Sequence, residues 1–141
     1  MKARRTRQLD AVYEVLRVAA DHPTAAQVYD RVKRFLPRVS LGTVYRNLEK
    51  LAAGGRAVPV HLGDKATHYD ATVTQHDHFV CRRCGRITDL AEGMQPDVDT
   101  RRLEQAGYRV DARRLAVLGT CRPCERKNLS RLRSAEIANL S

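Results

Sequence analysis

The sequence predicts an α+β protein, with short helices and a hairpin first and a strand-rich unit after them. Three observations predict it. Apolar residues recur at helical spacing in three short segments before residue 54, and strand-like segments follow. Basic charge is concentrated at the front: residues 1–60 hold 12 Lys and Arg against 5 Asp and Glu, whereas residues 61–141 hold 14 against 11. All four Cys and four of the five His lie in the second stretch. The chain reads as a basic N-terminal unit, residues 1–70, and a C-terminal unit, residues 71–141, loaded with metal-ligand residue types.

Taken in order, Thr6 is placed to cap a first helix whose apolar positions Leu9, Val12, Tyr13, Val15 and Leu16 share one face. His22-Pro23-Thr24 breaks it, and Thr24 caps a second helix with Ala25, Val28, Tyr29 and Val32 inward. Pro37 ends that helix. Ser40 caps a third, with Val44, Leu48 and Leu51 inward and Gly54-Gly55 as its stop. Residues 56–62 read as a strand, Gly63-Asp64-Lys65 as a turn, and residues 66–70 as a returning strand. Three short helices and a hairpin describe a winged helix-turn-helix. Beyond it, strands near 79–82, 86–90 and 108–118 and a helix near 97–106 are expected.

A formal charge of +10 directs the chain toward a polyanion. No apolar run approaches the roughly 20 residues that span a bilayer. No long apolar stretch follows the basic N-terminus, so a secretory signal is not expected and a cytoplasmic location is. With seven aromatics in 141 residues, the core must be mostly aliphatic.

The third helix is the candidate DNA reader. Gly42, Thr43, Tyr45, Arg46, Asn47 and Lys50 are expected on its exposed side, with Ser40 at its start. Small residues let a helix end enter a groove, Arg and Asn pair with base edges, and Tyr or a Thr methyl can touch thymine. Arg4, Arg5 and Arg7 would sit beside the phosphates of double-stranded DNA, although a run of Arg is usually only a solvated face.

Cys81-Arg-Arg-Cys84-Gly85 and Cys121-Arg-Pro-Cys124 are two CxxC pairs with 36 residues between them. Two intervening residues let both thiolates of a pair face one tetrahedral ion, and Gly85 suits the knuckle turn. A redox dithiol would be a single CxxC, and a disulfide framework conflicts with the missing signal. A structural four-cysteine Zn(2+) site is the expectation. A second constellation is His22, Asp70, His76, His78 and Asp89. Alternation on a strand points His76 and His78 to one face. Imidazoles with carboxylates suit Fe(II), Mn(II), Zn(II) or Co(II). The residues alone leave open whether these are ligands, and His61 and His68 read as ordinary side chains.

Thr43-Val-Tyr-Arg-Asn-Leu48, His76-Asp-His-Phe-Val-Cys-Arg-Arg-Cys-Gly85 and Cys121-x-x-Cys124 together resemble the ferric uptake regulator (Fur) superfamily, over essentially the whole chain. Within it, His22 before Pro-Thr-Ala, with Asp70, His76, His78 and Asp89, resembles the ligand set of the peroxide-responsive repressor branch. The resemblance implies a winged helix joined to a C-terminal α/β dimerisation domain. It implies a regulatory Fe(2+) or Mn(2+) on those five residues, and oxidation of His22 and His76 as the response to peroxide. The extra metal site of many relatives is not expected, because Gln75 replaces one of its His and no His follows His78. Three functions follow: a peroxide-sensing repressor, a sensor reporting iron, manganese or zinc by occupancy, and a metallohydrolase. No HExxH or positioned general base supports the third, and no enzyme is expected.

Overall fold

The computed structural model describes residues 2–140, and the chain forms two compact units, residues 1–75 and 76–141. The fold is α+β, and the first unit is a winged helix-turn-helix. Its elements are α1 (Lys2–Val18), α2 (Ala25–Val32), α3 (Leu41–Ala53) and an antiparallel hairpin of β1 (Val58–Val60) and β2 (His68–Asp70). The first helix starts four residues ahead of the expected Thr6 cap. Ala3, Arg4 and Arg5 favour helix, so the helix runs through Thr6, which lies inside α1.

The other two caps stand where the sequence puts them. Thr24 and Gln27 form a reciprocal capping box, with the Thr24 hydroxyl accepting from Gln27 N at 3.3 Å and Gln27 Oε1 from Thr24 N at 2.8 Å. Ser40 Oγ accepts from Thr43 N at 3.1 Å. The second helix stops at Val32, before Pro37, because Phe35 N and Leu36 N both turn back to Val32 O. Beyond α3, Gly55 takes a φ of 69°, which ends the helix without a Cβ penalty. Val12, Leu16, Val28, Val32, Val44, Leu48 and Leu51 form the buried core, which is aliphatic as the composition demands.

The second unit contains β3 (His78–Cys81), β4 (Ile87–Asp89), α4 (Arg101–Gln105), β5 (Ala116–Gly119) and α5 (Arg122–Asn139). Its sheet has the order β4-β3-β5, antiparallel between β3 and β4 and parallel between β3 and β5. Helix α4 is shorter than the expected 97–106, because the Asp99 carboxylate accepts from Arg101 N at 3.0 Å and fixes a turn there. The expected strand over 108–118 is confined to β5. Before it, Arg113 donates to Pro96 O at 2.9 Å and Arg109 pairs with Asp111, contacts that replace a ladder. The sequence reading missed α5 altogether. Its Leu129, Leu132 and Ile137 are interleaved with charge and exposed, so they make no clean apolar stripe. Among the described residues, Cys81 and Ile87 are the buried apolar side chains of this unit. No helix among them is long and apolar enough to cross a membrane.

Leu48→Ala should cost about 2–5 kcal/mol by opening the α1–α2–α3 core, whereas Val18→Ala, at a position 69% exposed, should cost under about 0.5 kcal/mol. Urea unfolding of the two variants checks this, and equal losses would contradict the packing described.

Candidate metal centres and nucleic-acid interface

The parallel pairing of β3 with β5 brings the two CxxC pairs together. Cys81 lies opposite Gly119 in that register, so Cys121 arrives two residues later as the N-cap of α5, with Cys124 in its first turn. Between Cys81 and Cys84 the chain reverses in a knuckle, where Gly85 at a φ of 72° donates to Cys81 O at 2.9 Å. The four sulfurs lie within 4.8 Å of one another, and Cys84 Sγ is 3.7 Å from Cys121 Sγ. The backbone N–H of Cys121 donates to Cys81 Sγ at 3.2 Å; with further backbone donors it holds the Cys81 thiol down to about 6. Cys124 is pushed up to about 12, chiefly by hydrogen bonding to Cys121 and then by burial. One sulfur is thus predisposed to be a thiolate, and a bound cation would favour ionisation of the rest. Four gathered sulfurs on two knuckles fit a tetrahedral Zn(II).

The imidazoles and carboxylates divide between the units. In the first, His22 Nε2 lies 3.2 Å from Asp70 Oδ2, both side chains buried. Among the described residues His22 is the one non-glycine at positive φ, 49°. This backbone is held from β2: the His22 carbonyl accepts from His68 Nδ1 at 2.7 Å, and Tyr69 N donates to Pro23 O at 3.0 Å. His68 Nε2 in turn reaches Asp64 Oδ2 at 2.8 Å and holds that carboxyl below the usual carboxylate range. On the other flank, the Arg31 guanidinium grips both oxygens of Asp21 and lowers its pKa. His61 is exposed.

In the second unit the β3–β4 register sets His78 opposite Asp89. His76 Nε2 and His78 Nε2 each lie 3.4 Å from Asp89 Oδ1, with ring centroids 4.6 Å apart. Asp77, between them, is buried on a different errand: it accepts from Leu115 N at 3.1 Å and pairs with Arg113 at 3.4 Å. The sequence reading did not single out Asp77; its position between two candidate ligands was the available signal. Nitrogen and carboxylate donors of this kind fit Fe(II), Mn(II) or Zn(II).

On α3, the candidate DNA reader, Tyr45 and Arg46 are exposed and Thr43 is half-buried, but Asn47 is buried, which corrects the expected exposure. Asn47 lies three residues after Val44 and four before Leu51, on the stripe that faces the core. Arg46 Nη2 donates to Thr43 Oγ1 at 3.1 Å, and Thr43 Oγ1 lies 2.9 Å from Ser40 Oγ, so these three side chains form one chain of contacts. Arg5, Thr43, Arg46, Asn47 and Lys50 line a hollow of about 300 Å³ between α1 and α3. A second hollow, about 460 Å³, gathers Arg4, Arg7 and Arg38. Arg38 escaped the sequence reading, since its approach to α1 depends on tertiary packing.

The sequence model of the ferric uptake regulator family matches residues 1–118. The peroxide operon regulator of Bacillus subtilis is 31% identical, the match covering 86% of this chain and 84% of that protein. The peroxide-responsive repressor PerR of Staphylococcus aureus is 27% identical over 86% of this chain and 82% of its own length. Among solved structures, the Campylobacter jejuni peroxide stress regulator superposes with a TM-score of 0.71 at 28% identity, covering 87% of this chain and 93% of that one. The Helicobacter pylori ferric uptake regulator, with a TM-score of 0.69 at 20% identity over 84% and 80%, shares the fold.

The Asp21–Arg31 pair flanking His22 carries a pH signature. Its carboxyl is depressed below the ordinary 3.8, so it stabilises the fold above that value and the contribution vanishes as pH falls through the depressed one. Asp21→Asn should therefore lower Tm at pH 7, and the gap from the parent should begin to narrow near pH 3.8 and close as pH falls through the depressed value. A gap that ignores pH would contradict this.

Proposed function

The chain belongs to the ferric uptake regulator family, and from that premise we propose a metal-dependent DNA-binding repressor that senses peroxide by oxidation of ligating histidines. Membership makes it a metal-responsive regulator, and the members of that family are transcriptional regulators rather than enzymes. The observation that carries the finer reading is the separation of donors, four sulfurs in one cluster and imidazoles with carboxylates elsewhere. Similarity to peroxide regulators of 27–31% identity supports the same reading.

In this reading Cys81, Cys84, Cys121 and Cys124 hold a structural Zn(2+). His22, Asp70, His76, His78 and Asp89 serve one regulatory Fe(2+) or Mn(2+). These five residues would hold the ion, and Fe(II) when bound would supply redox chemistry with peroxide beside their imidazoles. His22 and His76 would be the rings oxidised, and an oxidised imidazole, a poorer donor, would hold the ion less tightly. A bound ion would favour the conformer that binds it more tightly, and DNA affinity would follow occupancy. Ser40, Thr43, Tyr45 and Arg46 read the operator, while Arg5 and Arg7 meet its phosphates; buried Asn47 supports α3 from the core side. A homodimer fits the second unit, where β5 pairs only with β3 among the described residues and Val117, Leu118, Leu129 and Leu132 are exposed. A cytoplasmic location suits thiols kept reduced for zinc.

Peroxide added to the anaerobic Fe(II)-loaded protein should add the mass of one oxygen to peptides containing His22 or His76, and the Mn(II)-loaded protein should stay unchanged. Oxidation of Cys81 and Cys84 first would make this a thiol switch. No oxidation at all would leave sensing by metal occupancy. DNA affinity should fall steeply with salt, since phosphate contacts dominate it. Arg46→Ala should cost about 1–3 kcal/mol of discrimination between operator and random DNA; equal weakening on both would reassign Arg46 to the backbone.

A further inference from the structure

The His22 turn is held by a side chain that belongs to no metal set. His68, in β2, is buried, and both its ring nitrogens are used: Nδ1 lies 2.7 Å from the His22 carbonyl oxygen and Nε2 lies 2.8 Å from Asp64 Oδ2. A carbonyl oxygen only accepts, so Nδ1 donates to it, while Nε2 shares a hydrogen bond with the Asp64 carboxyl. Asp64 sits in the turn between β1 and β2, the tip of the wing, with its side chain 53% exposed. The contact at the other end falls on the one residue, among those described, whose backbone is left-handed without being glycine. Such a conformation is disfavoured for a residue with a Cβ and persists only where surroundings impose it. The Thr24–His68 bridge and the Tyr69–Pro23 hydrogen bond impose it on one side, and His68 fixes the carbonyl itself.

We propose that Asp64 and His68 are positioning residues that tie the wing turn to the backbone of His22, so that retention of a divalent ion at His22 and Asp70 and order in the wing rise and fall together. The inference rests on the reading of His22 and Asp70 as regulatory ligands. It adds two residues that would touch no ion, and a route from the ion to a DNA-facing loop lying wholly within the first unit. Rotation of the His22 peptide, once its carbonyl is released, would move Nε2 away from Asp70. In the other direction, an ion that immobilises His22 holds the carbonyl in place, and through His68 it holds Asp64 and the turn.

The test uses the full chain with its cysteine cluster loaded with zinc, and Mn(II) alone as probe, because Mn(II) binding is read directly by electron paramagnetic resonance. Asp64→Ala removes an exposed side chain and leaves the core untouched. It should weaken Mn(II) binding about 10- to 100-fold, the range usual for residues that orient a ligand, with Tm held within a few degrees of the parent. Asp64→Asn keeps an acceptor for His68 and should recover part of the loss, whereas Lys65→Ala in the same turn should bind as the parent does. In the parent, Mn(II) should also slow amide exchange across residues 62–67, and in Asp64→Ala it should not. His68→Asn, whose amide can donate to His22 O but cannot span to Asp64, should behave as Asp64→Ala. If Asp64→Ala and His68→Asn both bind Mn(II) within about twofold of the parent while His22→Ala loses it, the positioning role is wrong and the ligand reading stands. If His22→Ala binds Mn(II) as the parent does, the ligand reading falls and takes this proposal with it.

Discussion

The cysteine cluster of the C-terminal unit carries a task that apolar burial performs elsewhere in the chain. Residues 76–141 bury only two apolar side chains among those described, Cys81 and Ile87, and α5 buries none. At roughly 25 cal/mol per Å², so little apolar area cannot offset the conformational entropy of ordering the unit. What gathers its segments is chemistry at one point: β3, the knuckle after it and the start of α5 all end at the four sulfurs. A Zn(II) there would contribute on the order of 10 kcal/mol. That accounts for where the cysteines sit, at the junctions of elements rather than inside them.

The first unit is built on the opposite principle. Its aliphatic core packs α1, α2 and α3 against one another without help, and the conformational tension is concentrated at a single point, the His22 turn. Pro23 has no N–H to give and Thr24 is committed to its capping box, so the chain leaves α1 and enters α2 through a left-handed residue pinned to β2. The pinning places an imidazole beside the Asp70 carboxylate. The same segment that terminates one helix and caps the next thereby presents a candidate ligand, and its geometry depends on the wing hairpin.

The sequence disclosed those parts of the fold whose causes are local. Thr24, Ser40 and Gly54-Gly55 announce helix ends by side-chain chemistry that operates within a few residues, and the β1–β2 turn is legible in Gly63-Asp64-Lys65. Both CxxC pairs were legible for the same reason. Contacts between distant segments were not. Helix α5 escaped because its leucines lie among arginines and glutamates and face solvent, which erases the periodicity that reveals a packed helix. Asn47 was misplaced because its polarity suggested exposure, whereas its spacing from Val44 and Leu51 puts it against the core. His68 was rightly read as a satisfied side chain, but the identity of its partners, His22 and Asp64, required the folded hairpin. Asp77 had the same difficulty: nothing near it in sequence discloses Arg113.

Amide hydrogen exchange along the chain, under reducing conditions and compared between protein loaded with zinc and protein from which zinc has been withdrawn, tests the central claim most directly. If a thiolate-bound ion replaces a hydrophobic core in the second unit, then β3, β5 and α5 should lose protection on withdrawal while Val12, Val28, Val44 and Leu48 keep theirs. Equal protection of β3, β5 and α5 in both forms would contradict it, and would mean that the C-terminal unit is held by something other than its four sulfurs.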